Sequence, residues 1–243
     1  TIKPGVTSLR NQQVASLFYM TRSMQTNNAS TYGFASDNSY NIHMAKNSEW
    51  GAVAYLTHSI YGRCTTSTTC TEIGINNNSS FITGYGSPAK TTLDKNNGTY
   101  DTDLGKDAST TGTIYGIYDM SGGAHEYVMG VLADTNGNPR SGYSSSTNSG
   151  FTGMLQDGTT YTGVSFPDGK YYNLYTGSSY TGHALTETKN WYSDSADFVV
   201  SSYSWFVRGG FCSYGATAGV FNFHYGMGYR DAIYSSRLVI SNE

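Results

Sequence analysis

Charge is what this chain has least of. Lys, Arg, Asp and Glu make up only 13% of its 243 residues, against the ~25% usual in a soluble protein. A formal net charge of −3 and a pI near 5.9 leave no basic footprint of the kind that binds nucleic acid. No apolar run approaches the ~18 residues of a membrane span, so no membrane insertion is expected of this segment. No export signal is legible at Thr1, as expected of a mature or trimmed chain. Cysteine is scarce as well, with three residues. Cys64 and Cys70 enclose five Ser and Thr residues, which is not the two-residue spacing of common metal-ligand pairs. A disulfide closing a surface loop of an exported protein fits this spacing; two free thiols are the alternative. Cys212 is then the odd thiol.

What fills the gap is Gly (29), Tyr (22) and many Ser, Thr and Asn. Aromatic residues at 14% argue against disorder, whose composition is poor in them. The same mixture of Tyr, Ser, Gly and Asn is found in antibody-like binding surfaces, where Tyr supplies contact area at little entropic cost.

Apolar spacing predicts an amphipathic helix over residues 9–25, with Val14, Leu17, Phe18 and Met24 near helical period. A second helix is expected, capped by Asn47 or Ser48, with Glu49 in its first turn, where the helix dipole favours a negative charge. Trp50, Val53, Ala54, Ile60 and Tyr61 would share one side, and Gly62 would end it. Short apolar runs at 72–75, 114–118, 198–200, 205–207, 220–223 and 237–240 have strand length, with turn residues between them. Residues 133–180 read as a long Gly/Tyr/Ser/Thr-rich loop, with a hairpin expected around Phe166-Pro167-Asp168-Gly169.

Three ordered blocks carry a resemblance. The first is Ser48-Glu49-Trp50 and the helix it opens. The second is Gly116-Ile117-Tyr118-Asp119-Met120-Ser121-Gly122-Gly123-Ala124-His125-Glu126-Tyr127-Val128. The third is Val207-Arg208-Gly209-Gly210, followed by Ser236-Arg237-Leu238-Val239-Ile240. Together they resemble the formylglycine-generating-enzyme type of C-type lectin fold, over roughly residues 43–240. Gly123 departs from that pattern in place of Asn, and His125 and Tyr127 stand in place of tryptophans. The resemblance implies an α+β fold with short antiparallel strands, two main helices and long irregular loops. On this reading residues 1–40 are an N-terminal helix and polar linker, and 41–243 a lectin-like ligand-binding domain with a variable segment at 208–240.

Read without the family, Gly209-Gly210 after an aliphatic strand lets the backbone turn or approach another segment closely. Asp119 and Glu126 are acids in an apolar, Gly-rich neighbourhood and are expected to have a partner, with Arg208 or Arg237 able to serve.

The resemblance bears on chemistry too. Cysteine-oxidising members of the family hold copper with two cysteines downstream of the Gly-Gly pair. Here only Cys212 lies there, and one soft ligand does not make a two-thiolate site. Other branches use an iron site of histidines and a tyrosine, but His43, His58, His125, His183 and His224 show no ligand-like grouping. The expectation is therefore a chain that is not an enzyme and carries no cofactor. Calcium is the one open addition: some members hold it with the glutamate of the Gly-rich block, here Glu126 with carbonyls near Gly122 and Ala124. The alternative for Glu126 is a buried acid paired with an arginine.

Between Gly210 and Ser235 the chain loses period, apart from Ala216 to Phe223. This segment resembles the mutable cassette of the variable proteins of diversity-generating retroelements, which follows the Arg-Gly-Gly of this lectin-type fold. Rewriting Asn codons at adenines yields Tyr, Ser, Asp, His, Phe, Ile and Ala. The expected ligand-binding residues are Phe211, Ser213, Tyr214, His224, Tyr225, Met227, Tyr229, Asp231, Ala232, Ile233 and Tyr234, with Val220, Phe221 and Phe223 in the core. Four tyrosines of that set, at 214, 225, 229 and 234, would be rigid anchors facing solvent. The resemblance implies a receptor-binding or adhesion protein on a phage or bacterial surface, outside the cell, recognising a protein or glycan receptor on another cell, with oligomerisation open. An invariant adhesin or pilin head of the same fold and a related oxidoreductase are the rivals.

Overall fold

The computed structural model describes residues 3–34, 40–140, 150–151, 166–177 and 184–242, with the backbone of 153–154 and 160–161. The first half holds α1 (Val14–Thr26), α2 (Ala29–Tyr32), β1 (Tyr40–Met44), α3 (Asn47–Thr57), β2 (Tyr85–Gly86), β3 (Gly98–Thr99) and α4 (Asp103–Asp107). The second half is strands: β4 (His125–Leu132), β5 (Gly153–Met154), β6 (Thr160–Tyr161), β7 (Asn173–Tyr175), β8 (Trp205–Arg208), β9 (Phe223–Gly226), β10 (Tyr234–Ser236) and β11 (Leu238–Asn242). The fold is α+β.

Strand β4 is the spine of a five-stranded sheet. Along one edge it pairs in parallel with β10 at its start and β7 at its end; along the other it pairs antiparallel with β8, and β9 lies outside β8. Successive β4 side chains point to opposite faces, and both faces are covered. Tyr127, Met129 and Val131 join Trp205 and Val207 against Val14, Ala15, Leu17 and Phe18 of α1. Val128 joins Phe206 and Phe223 against Trp50 and Ala54 of α3. The result is helix, sheet, helix. Burying Val14, Leu17 and Phe18 contributes roughly 1.5–3 kcal/mol each, so α1 is one layer of the core that the domain expected from residue 41 builds on.

Both helices are shorter than the apolar spacing predicts. The first begins at Val14, because residues 9–13 are non-helical and Asn11 has φ 61°. The second is α3, capped at Lys46, whose backbone N–H donates to the Glu49 carboxylate at 2.8 Å. It stops at Thr57, because the amides of Arg63 and Cys64 return to the carbonyls of Thr57 and Ser59 and turn the chain. Ile60 and Tyr61 therefore lie beyond the helix, exposed at 61% and 79%. Of the expected strands, 205–207, 220–223 and 237–240 lie in or beside β8, β9 and β11, whereas 72–75, 114–118 and 198–200 form no ladder. Among the described residues no hairpin forms at Phe166: the Asp168 carboxylate caps a single 3-10 turn, Gly169–Tyr171, by accepting from the Lys170 amide. Much of 133–180 lies outside the described residues, as does His183.

A separate ribbon pairs β1 antiparallel with β11, with Tyr40 opposite Asn242 and Met44 opposite Leu238. Cys64 and Cys70 are joined by a disulfide. Among the described residues no helix is long and apolar enough to cross a membrane.

Candidate functional site

The blocks quoted above, about 190 positions apart in sequence, converge on Trp50. Its indole N–H donates to the Val220 carbonyl at 2.9 Å, and its ring lies 4.9 Å from the Arg237 guanidinium. Arg237 forms a two-pronged pair with Glu126, Nε to Oε2 at 2.6 Å and Nη2 to Oε1 at 2.7 Å. The same Nη2 donates to the Asp119 and Tyr118 carbonyls at 3.0 and 3.3 Å. Arginine's planar fork matches a carboxylate in this way. Both Glu126 oxygens are thus taken by a cation. The donor set expected for calcium does not fit here, and the paired-acid alternative is the one that forms.

Arg208 is not the partner of either acid. It is buried with its guanidinium 5.8 Å from the Trp50 ring and 5.7 Å from Phe223, and its Nε and Nη1 find no hydrogen-bond acceptor. Burial pulls its pKa down to about 10, while charges on Tyr175 and Asp194 work in the opposite direction. Asp119 instead accepts from the Asn76 side-chain amide at 2.6 Å and from the Gly84 amide.

The two glycines after β8 do what the sequence requires of them. Gly209 and Gly210 have φ of 82° and 74°, a region costly for residues with a Cβ. A Cβ on Gly210 would also lie 2.8 Å from the Ala218 backbone. Their turn is tied to the Gly122-Gly123 turn, Gly122 N–H donating to the Gly209 carbonyl and Cys212 N–H to the Gly123 carbonyl. That double tie delivers Phe211 over His125.

Around His125 the aromatic side chains gather. Phe211 stacks on it at 5.8 Å between ring centroids, Tyr214 meets it edge-on at 5.1 Å, and Tyr234 lies at 5.7 Å. Tyr229 packs edge-on to Tyr234, whose ring rests 4.6 Å from buried Tyr127. On the far side Phe211 stacks on Phe81, which carries the Arg10 guanidinium 4.0 Å above its ring. Phe81 adopts φ 56°, rare for a bulky residue and of a kind that concentrates at functional sites.

The expected ligand-binding residues fall into two groups. Ser213, Tyr214 and Ala232 are exposed; Phe211, His224, Tyr225, Met227, Tyr229, Asp231, Ile233 and Tyr234 are half-buried. Val220, Phe221 and Phe223 are buried. Ring contacts bring Phe211, Tyr214, Tyr229 and Tyr234 together. His224 and Tyr225 sit beside them on β9, His224 pairing with Asp197 at 3.2 Å and Tyr225 with Tyr203. The turn before β10 is fixed from the N-terminal segment: Asn11 N–H donates to the Asp231 carbonyl, and Arg10 to that of Ala232. Three of the four tyrosines expected to face solvent, Tyr225, Tyr229 and Tyr234, do so only in part, and two of these turn toward the core. Tyr225 packs against one core cluster and Tyr234 against the other, because alternate residues of a paired strand must turn inward.

Sequence reasoning missed His125, Tyr127, Phe81 and Arg10. The first two were visible as departures from the family block; nothing marked the others. Cys212 is buried, and burial pushes its thiol up to about 11, which disfavours the free thiolate near neutral pH.

His125 makes the site pH-sensitive. Burial, with a smaller push from His224, holds its imidazole down at about 4, and its Nδ1 is buried without a hydrogen-bond partner. An unfolded histidine titrates near 6.5, so as pH falls the unfolded chain takes the proton first. His125 therefore contributes stability that is full above about 6.5 and lost on the way down to about 4, ~3 kcal/mol in all. Asp194 opposes this, since burial lifts its carboxyl from 3.8 to about 7 and its contribution is lost as pH rises through that window. Comparison with His125→Phe isolates the histidine. Between pH 7.5 and 4.5 the wild type should lose ~2–3 kcal/mol relative to the variant in urea unfolding. An unchanged difference would show that His125 is not held neutral.

No protein-family model matches this chain, and no curated protein matches it.

Proposed function

We propose that this chain is a non-enzymatic ligand-binding protein of the formylglycine-generating-enzyme type of C-type lectin fold. It recognises its ligand through the aromatic surface of Phe211, Tyr214, Tyr229 and Tyr234 above His125. The observation that carries this reading is the contrast between surface and support. Partly exposed aromatic rings stand on His125 and Tyr127 of β4, both buried in the central strand of the sheet. Exposed aromatic clusters on a rigid support favour binding, since little side-chain freedom is lost on contact. The convergence of the sequence blocks on Trp50 supports the fold type.

The partner is a protein or glycan receptor on another cell, and the chain works outside its own cell, on a bacterial or phage surface. The Cys64–Cys70 disulfide supports an oxidising compartment. We further propose that residues 208–240 are a diversified segment of a retroelement variable protein. Of the residues matching that output, Phe211, Tyr214, Tyr229 and Tyr234 gather around His125, while Val220, Phe221 and Phe223 between them are core. The genomic DNA around the coding sequence tests this. A near-copy of the codons for 208–240, differing only at adenines and lying beside a reverse-transcriptase gene, is the expected result. Absence of any such copy would reduce the reading to an invariant adhesin of the same fold.

A further inference from the structure

Away from the aromatic surface, behind α3, lies a second group of chemically potent side chains. A ring nitrogen of His58 and the sulfurs of Cys64 and Cys70 all lie within 4.8 Å of one another. Among the described residues no other three His, Cys, Asp or Glu side chains converge in this way. We propose that the reduced chain binds one zinc ion through Cys64, Cys70 and His58, so that the same loop is closed by a disulfide under oxidising conditions and by a metal under reducing ones.

The geometry for this does not depend on the sulfur–sulfur bond. The backbone of the loop is pinned on its own: Thr65 N–H donates to the Thr69 carbonyl and Thr71 N–H to the Arg63 carbonyl, both at 2.9 Å. Cys64 N–H donates to the Ser59 carbonyl at 3.0 Å. Once the bond is cut, these contacts keep the two sulfurs facing each other, and thiolates bound to one zinc need separate only to roughly the span set by two Zn–S bonds of ~2.3 Å. The imidazole is fixed just as firmly. His58 terminates α3, its Nδ1 is hydrogen-bonded to the Tyr192 hydroxyl at 2.7 Å, and its ring is boxed by Trp191, Tyr192 and Phe221. A hydrogen bond to one nitrogen of a ligating histidine is the usual means of orienting it. Cys64 is buried, but His58 and Cys70 are half-exposed, so two of the three donors reach solvent. Two thiolates and an imidazole are soft-to-borderline donors that suit zinc, with one position left for water.

The chemistry balances with a dithiol or phosphine reductant. A dithiol passes two electrons and two protons to the Cys64–Cys70 bond and becomes a disulfide itself. A phosphine takes oxygen from water instead and becomes its oxide, while the two water protons go to the sulfurs. Zinc then replaces both thiol protons, giving a neutral site and releasing two protons to solvent.

The test uses the whole chain, reduced anaerobically with a phosphine, freed of excess reductant, and titrated with Co2+ and then Zn2+. One equivalent of Zn2+ should bind the reduced chain and none the oxidised chain. Bound Co2+ should show thiolate charge-transfer absorption that zinc abolishes. Cys64→Ser should lose the site and Cys212→Ser keep it, while His58→Ala should weaken zinc about a hundredfold or more. Because the oxidised and reduced wild type are compared directly, a variant that fails to fold does not decide the matter. No uptake by the reduced wild type, equal uptake by both forms, or charge-transfer bands surviving in Cys64→Ser would overturn the proposal.

Discussion

Arg237→Ala should lower stability by ~3–5 kcal/mol, the loss expected when one member of a buried ion pair is removed. At ~2–4 °C per kcal/mol for a domain of this size, the melting temperature should fall by ~6–20 °C. The reason lies in what is left behind. Glu126 is 7% exposed and receives two hydrogen bonds from this one guanidinium, which also serves the carbonyls of Tyr118 and Asp119. Without Arg237 a carboxylate stays buried with no counter-charge, and two carbonyls lose a donor. The double replacement Glu126→Leu with Arg237→Met should recover most of the loss, since a well-packed apolar pair often matches a buried ion pair. It should not recover all of it, because the carbonyls remain unpaired. Calorimetry on the three variants checks this. A fall of under 1 kcal/mol for Arg237→Ala would show that the pair is not what holds Trp50, Glu126 and the Tyr118–Asp119 turn together.

Tyr214→Ala combined with Tyr229→Ala should weaken ligand binding by at least about a hundredfold, two hot-spot truncations of ~2 kcal/mol or more each. Its melting temperature should stay within a few degrees of the wild type. Tyr214 is 37% exposed and meets His125 and Phe211 only edge-on, and Tyr229 touches Tyr234 at its rim. Neither fills the core. Tyr225 and Tyr234 are poor choices for the same experiment, because each packs against a core cluster, and truncating either would confuse lost binding with lost stability.

The legible parts of this molecule are those whose physics is local. Val14, Leu17 and Phe18 announce α1 by their spacing, and Glu49 marks the start of α3 because its carboxylate caps the helix within three residues. The end of α3 was not legible: Ile60 and Tyr61 continue the apolar pattern, and only the return of the chain toward Cys64 stops it. Strand β4 was hidden for the opposite reason. Helices cover both of its faces, so its residues are nearly all buried and show no alternation. At the site, the segment after Arg208-Gly209-Gly210 carried a compositional signal, and its tyrosines do gather. Phe81 and Arg10 carried none, since a Phe in a Ser- and Asn-rich loop looks incidental until the fold brings it beside Phe211.

The central claim is that function resides in the aromatic surface over His125. It is tested most directly by presenting the wild type and the Tyr214→Ala, Tyr229→Ala double variant in parallel to a glycan array and a displayed library of bacterial surface proteins. The wild type should capture at least one glycan or protein that the equally folded double variant does not. A ligand bound equally well by both would place recognition elsewhere on the molecule and contradict the account.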